Sequence, residues 1–273
     1  MDFIEILKAI LFGIVEGITE WLPISSTGHM IILDELVKLN VSDAFREMFL
    51  VVIQLGAILA VVVLYFKKLW PFSTKEKFFI KKDTFGMWFK ILAACIPAAI
   101  VGVFFDDKIN ELFYNYQTVA AMLIIFGVLF IVIENYNKGR KPVMNSIAEI
   151  TWKAAIGVGL FQLIAAVFPG TSRSGATILG GILLGMSRTT AAEFTFFLAV
   201  PVMAGASLLK LVKFGLAFSA SEAVILIVGM VVAFVVSIII IKFLLNYIRR
   251  NDFKAFGWYR IVLGVLVILF FSL

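Results

Sequence analysis

The run E-G-I-T-E-W-L-P-I-S-S-T-G-H, Glu16 to His29, gathers acids, hydroxyls and the only histidine of the chain. Glu16 and Glu20 are four apart, so a helix over 10–21 projects both carboxylates from one face. Pro23 stops that helix. Ser25, Ser26, Thr27 and Gly28 follow, leaving backbone N–H groups open and capping a second helix that begins near His29. A helix N-terminus of this composition is a seat for phosphate. A second run, G-L-F-Q-L-I-A-A-V-F-P-G-T-S-R-S-G-A-T, Gly159 to Thr177, sets Arg173 among Thr171, Ser172, Ser174 and Thr177. Its guanidinium is a planar, always-charged fork suited to phosphate oxygens. The run is not a Walker A loop, which needs a Gly-x-x-x-x-Gly-Lys-Ser/Thr pattern.

These charges stand in oil. The chain has 273 residues, 62% hydrophobic and 15% charged, with a mean hydropathy of +1.05. Such a composition belongs to an all-α polytopic membrane protein, a single integral domain over 1–273. By insertion scales a charge at the bilayer centre costs about 2.5–3.5 kcal/mol, so Glu16 and Glu20 facing lipid together would cost about 5–7 kcal/mol. They must face protein, water or a metal. The N-terminus lacks a signal-peptide pattern, since Asp2 and Glu5 stand where a basic region would be. Cys95, the single cysteine, excludes an internal disulfide and a cysteine-rich metal site. The net charge of +6 lies in loops between apolar runs, which fits membrane topology and gives no expectation of nucleic acid.

The elements that must position the two motifs follow from the apolar windows. Windows near 47–66, 88–105, 118–134, 190–212, 221–245 and 255–272 are long enough to span. The regions about 3–38 and 154–187 are each broken midway by Pro, Gly, Ser and Thr, and read as re-entrant helix–loop–helix hairpins. Gly13 to Gly28 aligns on Gly159 onward without gaps: Glu16 over Gln162, Pro23 over Pro169, Ser26 over Ser172, Thr27 over Arg173. Residues 53–59 resemble 202–208 at nearly the same offset. The expectation is an inverted-topology repeat, 1–134 and 150–273, whose broken hairpins meet near mid-membrane.

Orientation follows from Lys and Arg. One side receives Lys67, Lys68, Lys75, Lys77, Lys81, Lys82, Lys90, Lys138, Arg140, Lys141, Lys153, Arg188, Lys242, Arg249, Arg250, Lys254 and Arg260. The other receives Lys8, Lys38, Arg46, Lys108, Lys210 and Lys213. The first side is therefore cytoplasmic and both termini lie outside. Among lesser candidates, Glu193 with Arg188 and Ser187 reads as an interfacial ion pair or cap. Gln54 is expected to hydrogen-bond a hairpin, and Asp106 and Asp107 to be solvated at the outer interface. Gly180, Gly181 and Gly185 suit close helix packing.

At these motifs the sequence resembles the undecaprenyl-diphosphate phosphatase family, also called the bacitracin-resistance family. The likeness runs over essentially the whole chain: E-G-I-T-E-W-L-P-I-S-S-T-G-H-M, V-I-Q-L-G-A-I-L-A-V-V, P-G-T-S-R-S-G-A-T and E-F-T-F-F-L-A-V-P-V-M, in that order. It implies hydrolysis of undecaprenyl diphosphate to undecaprenyl phosphate, recycling the lipid carrier of cell-wall synthesis and conferring bacitracin resistance. It also implies a site open to the outer face of the inner membrane and a divalent cation, Mg2+ or Ca2+. Carried over by motif, the functional residues are Glu16, Glu20, Ser26, Thr27, His29, Ser172, Arg173, Ser174 and Thr177.

On that footing Arg173 clamps the diphosphate with Ser25, Thr27, Ser172, Ser174 and Thr177, and Glu16 and Glu20 hold the cation. The nucleophile is Ser26, activated by His29 or Glu20, or else a cation-activated water with His29 as base. Expected partners are the polyprenyl diphosphate and membrane lipids, with a homodimer left open. The alternative is a flippase for polyprenyl phosphate, or an anion transporter, built on the same repeat with Glu16 and His29 as a proton relay.

Overall fold

Pro23 and Pro169, with the serines and glycines after them, divide the two interrupted regions into helices, while Pro97 and Pro201 lie within long helices; small residues mark where helices touch closely. The computed structural model describes residues 3–74, 79–215 and 218–272, without the side chain of Asp106. Lys75, Lys77 and that aspartate side chain, all named above, lie outside the described residues. The helices in order are α1 (Phe3–Thr19), α2 (Ser26–Leu36), α3 (Asp43–Val52), α4 (Gln54–Leu64), α5 (Phe66–Leu69), α6 (Lys82–Phe104), α7 (Asp106–Phe113) and α8 (Tyr116–Tyr136). A 3-10 turn at Ile147–Glu149 leads to α9 (Trp152–Val167), α10 (Arg173–Leu183), α11 (Arg188–Phe214), α12 (Ala220–Ile248) and α13 (Lys254–Ser272). The described residues form no strand, only isolated bridges between Phe72 and Ile80 and between Met144 and Met186.

Among the described residues six helical stretches are long and apolar enough to cross a membrane: 43–64, in which α3 and α4 adjoin at Ile53, then α6, α8, α11, α12 and α13. Each expected window falls on one of them, and the chain is a multi-pass membrane protein. The two interrupted regions are the helix–loop–helix pairs α1–α2 and α9–α10.

Helix α12 shows how the chain sorts its faces. Ile227, Val231, Val235, Ile239 and Phe243 recur every fourth residue and are all exposed, an apolar stripe for lipid. Its buried stripe carries Gly229, Ala233 and Ser237 instead, residues that let another backbone come close. That backbone is α1: a Cβ on Gly13 would lie 2.6 Å from the Gly229 carbonyl, and one on Gly17 would lie 2.8 Å from the Ala233 carbonyl. The corresponding pair is α9 against α6, where a Cβ on Gly159 would lie 2.5 Å from the Ala94 carbonyl. The first helix of each interrupted region thus packs on a spanning helix of the other half of the chain. Between the halves α8 meets α13, and Gly127 and Gly257 each leave room for the other's carbonyl.

Polar contacts fasten the rest. Buried Glu134 of α8 accepts from Arg188 Nε at 2.9 Å and from the Phe253 N–H at 3.0 Å, joining α8, α11 and the start of α13. Arg188 therefore pairs with Glu134, and Glu193, read above as its partner, pairs with Lys68. Ser187 caps α11, as expected for its type. Among the described residues no side-chain hydrogen bond joins Gln54 to either interrupted region, contrary to expectation; it opens α4 after the irregular turn at Ile53.

Candidate active site

The loops 20–25 and 168–172 carry the chemistry to one point. Helix α1 ends at Thr19, yet the Glu20 N–H still bonds the Glu16 carbonyl at 3.0 Å, so the two acids keep their one-turn spacing past the helix end. Both are buried. Glu20 Oε2 accepts from Ser26 Oγ at 2.8 Å, and its Oε1 accepts from Arg173 Nη2 at 2.7 Å. A carboxylate from one interrupted region is thus held between a hydroxyl of its own pair and a guanidinium of the other. Arg173 also donates to the Thr195 carbonyl at 3.1 Å and touches Met203 Sδ at 3.5 Å; its Nε is buried without a partner. Glu16 Oε1 is likewise buried and unpartnered.

The caps repeat. Ser25 and Ser172 are the N-caps of α2 and α10, and their hydroxyls accept from the N–H of Gly28 at 3.3 Å and Gly175 at 3.1 Å. Both have φ in the left-handed region, 75° and 69°, a strained setting for serine. Their equivalence revises the gapless alignment: Ser25 corresponds to Ser172 and Ser26 to Arg173. One residue separates Pro23 from Ser25, whereas Gly170 and Thr171 separate Pro169 from Ser172. The extra residue is accommodated by Gly170 at φ 89°, where a Cβ would lie 2.5 Å from the Val119 carbonyl. The second helix of the first pair begins at Ser26, not near His29, which sits one turn in.

The remaining predicted residues divide. Thr27 and Ser172 are partly exposed beside Ser26 and Arg173. Ser174 is buried, with its hydroxyl 3.1 Å from Ser172 Oγ and 3.4 Å from the Leu22 carbonyl, across to the other loop. Thr177 is fully buried; it donates to the Arg173 carbonyl at 2.8 Å and accepts from Thr195 Oγ1 at 2.9 Å. Ser25, Ser174 and Thr177 are buried and brace the loops from within, whereas Ser26, Thr27 and Ser172 are partly exposed. His29 makes no bond to Ser26. Its Nδ1 lies 2.7 Å from the Ser25 carbonyl and its Nε2 2.7 Å from the Tyr259 hydroxyl, with the two rings stacked. A carbonyl can only accept, so Nδ1 carries the proton in the neutral ring and Nε2 accepts from Tyr259.

Two neighbours were missed by the sequence reading. Tyr259 was not singled out, and Arg260 was counted among cytoplasmic charges. Arg260 is fully buried and donates to carbonyls of both loops. An arginine six residues into an apolar helix, next to a tyrosine, was the signal available.

Against known proteins the likeness is broad. Residues 9–266 match the family described as bacitracin resistance protein BacA. The chain belongs to the BacA family. Its relatives include undecaprenyl-diphosphatase of Desulfitobacterium hafniense, 68% identical over 100% of this chain and 98% of that one. Undecaprenyl-diphosphatase 1 of Clostridium acetobutylicum is 67% identical over 99% of both, and undecaprenyl-diphosphatase of Enterococcus faecalis 59% over 98% of both. The BacA match spans both loops, so the cluster at Glu20 lies wholly inside the shared region.

Proposed function

We propose that the chain hydrolyses undecaprenyl diphosphate to undecaprenyl phosphate and inorganic phosphate, and by that activity confers bacitracin resistance. The observation that carries the reading is Glu20 between Ser26 at 2.8 Å and Arg173 at 2.7 Å, together with relatives named for this reaction across their full length. An acid, a hydroxyl and a guanidinium at these distances are the parts phosphoryl transfer needs: a base, a nucleophile and a clamp for developing charge.

Arriving phosphate oxygens take Arg173 from Glu20, exchanging one anion for another at the fork. Glu20, released, accepts the Ser26 proton while Ser26 Oγ attacks the terminal phosphorus. The bond from that phosphorus to the bridging oxygen breaks, and undecaprenyl phosphate leaves. Water then hydrolyses the phosphoserine to phosphate. Open N–H groups at the starts of α2 and α10, with Thr27 and Ser172, face the same anion. His29, tied to Ser25 and Tyr259, holds the first loop in shape.

Glu16 and Glu20 are the residues that would hold Mg2+ or Ca2+. The buried, unpartnered Oε1 of Glu16 one turn from Glu20 fits a hard cation. Among the described residues no third acid, histidine or cysteine joins them, so water and substrate phosphate would complete the shell. Such a cation, when bound, would neutralise phosphate charge.

The same reading includes an inverted repeat. It is supported by the matching caps at Ser25 and Ser172 and by the crossed packing of α1 on α12 and α9 on α6. The loops then meet inside the membrane, open to the outer face, with both termini outside. The deciding experiment is phosphate release from undecaprenyl diphosphate by purified protein, with and without chelator. Wild type should release phosphate; Glu20→Gln, Ser26→Ala and chelated protein should lose it by about 100-fold or more. Full activity in Ser26→Ala would remove serine from the mechanism, and no release by wild type would refute the function.

A further inference from the structure

We infer that Arg260 is a positioning residue of this active site: one buried guanidinium ties the two loops together and sets the distance between Glu20 and Arg173. The inference rests on the phosphatase reading and adds a third element, α13, to it.

Arg260 is fully buried, and no carboxylate lies within ion-pair distance of it among the described residues. A lone charge in such a place needs other partners. Its Nη1 donates to the Pro23 carbonyl of the first loop at 3.2 Å. Its Nη2 donates to Gly170 and Thr171 of the second at 2.9 and 2.8 Å, and to Met122 of α8 at 3.3 Å. The fork thus cross-links loops some 150 positions apart in sequence. The chain also reserves space for it, because a Cβ on Gly175 would lie 3.2 Å from Nη1.

The contacts fix more than separation. In a trans peptide C=O and N–H point opposite ways, and the described residues contain no cis bond. Drawing the Thr171 carbonyl inward to Arg260 therefore turns the Ser172 N–H away from it. Of the two strained caps, Ser172 follows directly on the bound Thr171 carbonyl and Ser25 lies one residue beyond the bound Pro23–Ile24 peptide; strain of this kind persists only where the surroundings over-determine it. Arg260 supplies that constraint to both loops. Its neighbour Tyr259 holds His29 from the same helix turn.

The test compares Arg260→Gln and Arg260→Lys with wild type, purified in detergent, on undecaprenyl diphosphate. Phosphate release by wild type secures the function reading independently. Arg260→Gln should chromatograph as folded protein with kcat down about 100-fold, the effect of misplacing reacting groups by about 1 Å, and KM little changed. Arg260→Lys should recover the melting temperature yet leave kcat depressed, since an ammonium cannot reproduce the fork. Spin labels at 22 and 168, one in each loop, should give a broader distance distribution in Arg260→Gln. A pair at 89 and 160, on α6 and α9, should stay sharp. Wild-type kcat in folded Arg260→Gln overturns the inference. So does full kcat in Arg260→Lys, a raised KM at unchanged kcat, or a loop distance that does not move. If neither variant folds, Arg260 serves the fold alone and the inference is wrong.

Discussion

At the scale of single residues, the loops hold serine where glycine is easier. Ser25 combines a useful cap with a costly backbone: its hydroxyl accepts from Gly28, and its φ is 75°. Removing the hydroxyl costs about 1 kcal/mol when alanine replaces it, and only a few tenths when glycine does. Glycine also relieves left-handed strain, which alanine retains. Ser25→Gly should therefore melt above Ser25→Ala, with wild type compared in the same detergent. The reverse order would mean that the backbone at 25 is relaxed and the cap is the whole contribution. The site's charges were readable in the sequence because each is expensive in oil: Glu16, Glu20 and Arg173 had to find one another or water. The capping role of Ser25 was readable from its type, but the left-handed backbone of the caps was not, since nothing in Ser-Ser or Thr-Ser announces a positive φ. Arg260 was misread for a different reason. It follows Arg249, Arg250 and Lys254 so closely that it passed for one more interfacial charge, while the structure turns it inward.

At the scale of helices, small residues choose partners. Gly13 and Gly17 read as a helix-facing pair once their spacing of four is noticed, but nothing in sequence names α12 as the surface they meet. That depends on Gly229 and Ala233 rising opposite them. Leucine at Gly17 would drive a side chain into the Ala233 carbonyl and the Val236 side chain, each within 2.8 Å of a Cβ there. Overpacking of this kind costs about 1–3 kcal/mol. Gly86 in α6 is the contrast, with nothing within 4 Å of a built Cβ. Alanine there should stabilise by about 0.5–1 kcal/mol through helix propensity. Opposite shifts in melting temperature for Gly17→Leu and Gly86→Ala would support packing as the selector; a shared sign would leave α1 held by something else. The spans themselves were legible to within a few residues, because a long apolar run has few alternatives. The one-residue difference between the loops was hidden, because Pro23 and Pro169 align and only the caps beyond them expose it.

At the scale of the whole molecule, charge asymmetry is the statement that remains to be measured. Taking Arg260 out of the basic group leaves the imbalance standing, since Lys67, Lys68, Lys81, Lys138, Arg140 and Arg249 still gather on one side against Lys8, Lys38, Lys108 and Lys213 on the other. The proposed orientation puts the linkers before α3 and at α7 outside, and the connection between α8 and α9 in the cytoplasm. It makes a direct demand on accessibility. Lys108 in α7 and Lys138 after α8 are both exposed, so a cysteine at either should react wherever reagent can reach. In a Cys95→Ala background, whose native thiol is buried, Lys108→Cys should be labelled by a membrane-impermeant maleimide on intact cells. Lys138→Cys should be labelled only after permeabilisation. The inverse pattern would turn the molecule over and direct its two loops toward the cytoplasm. The labelling therefore decides the proposed outer-facing site, while phosphate release by the purified protein tests the chemistry separately.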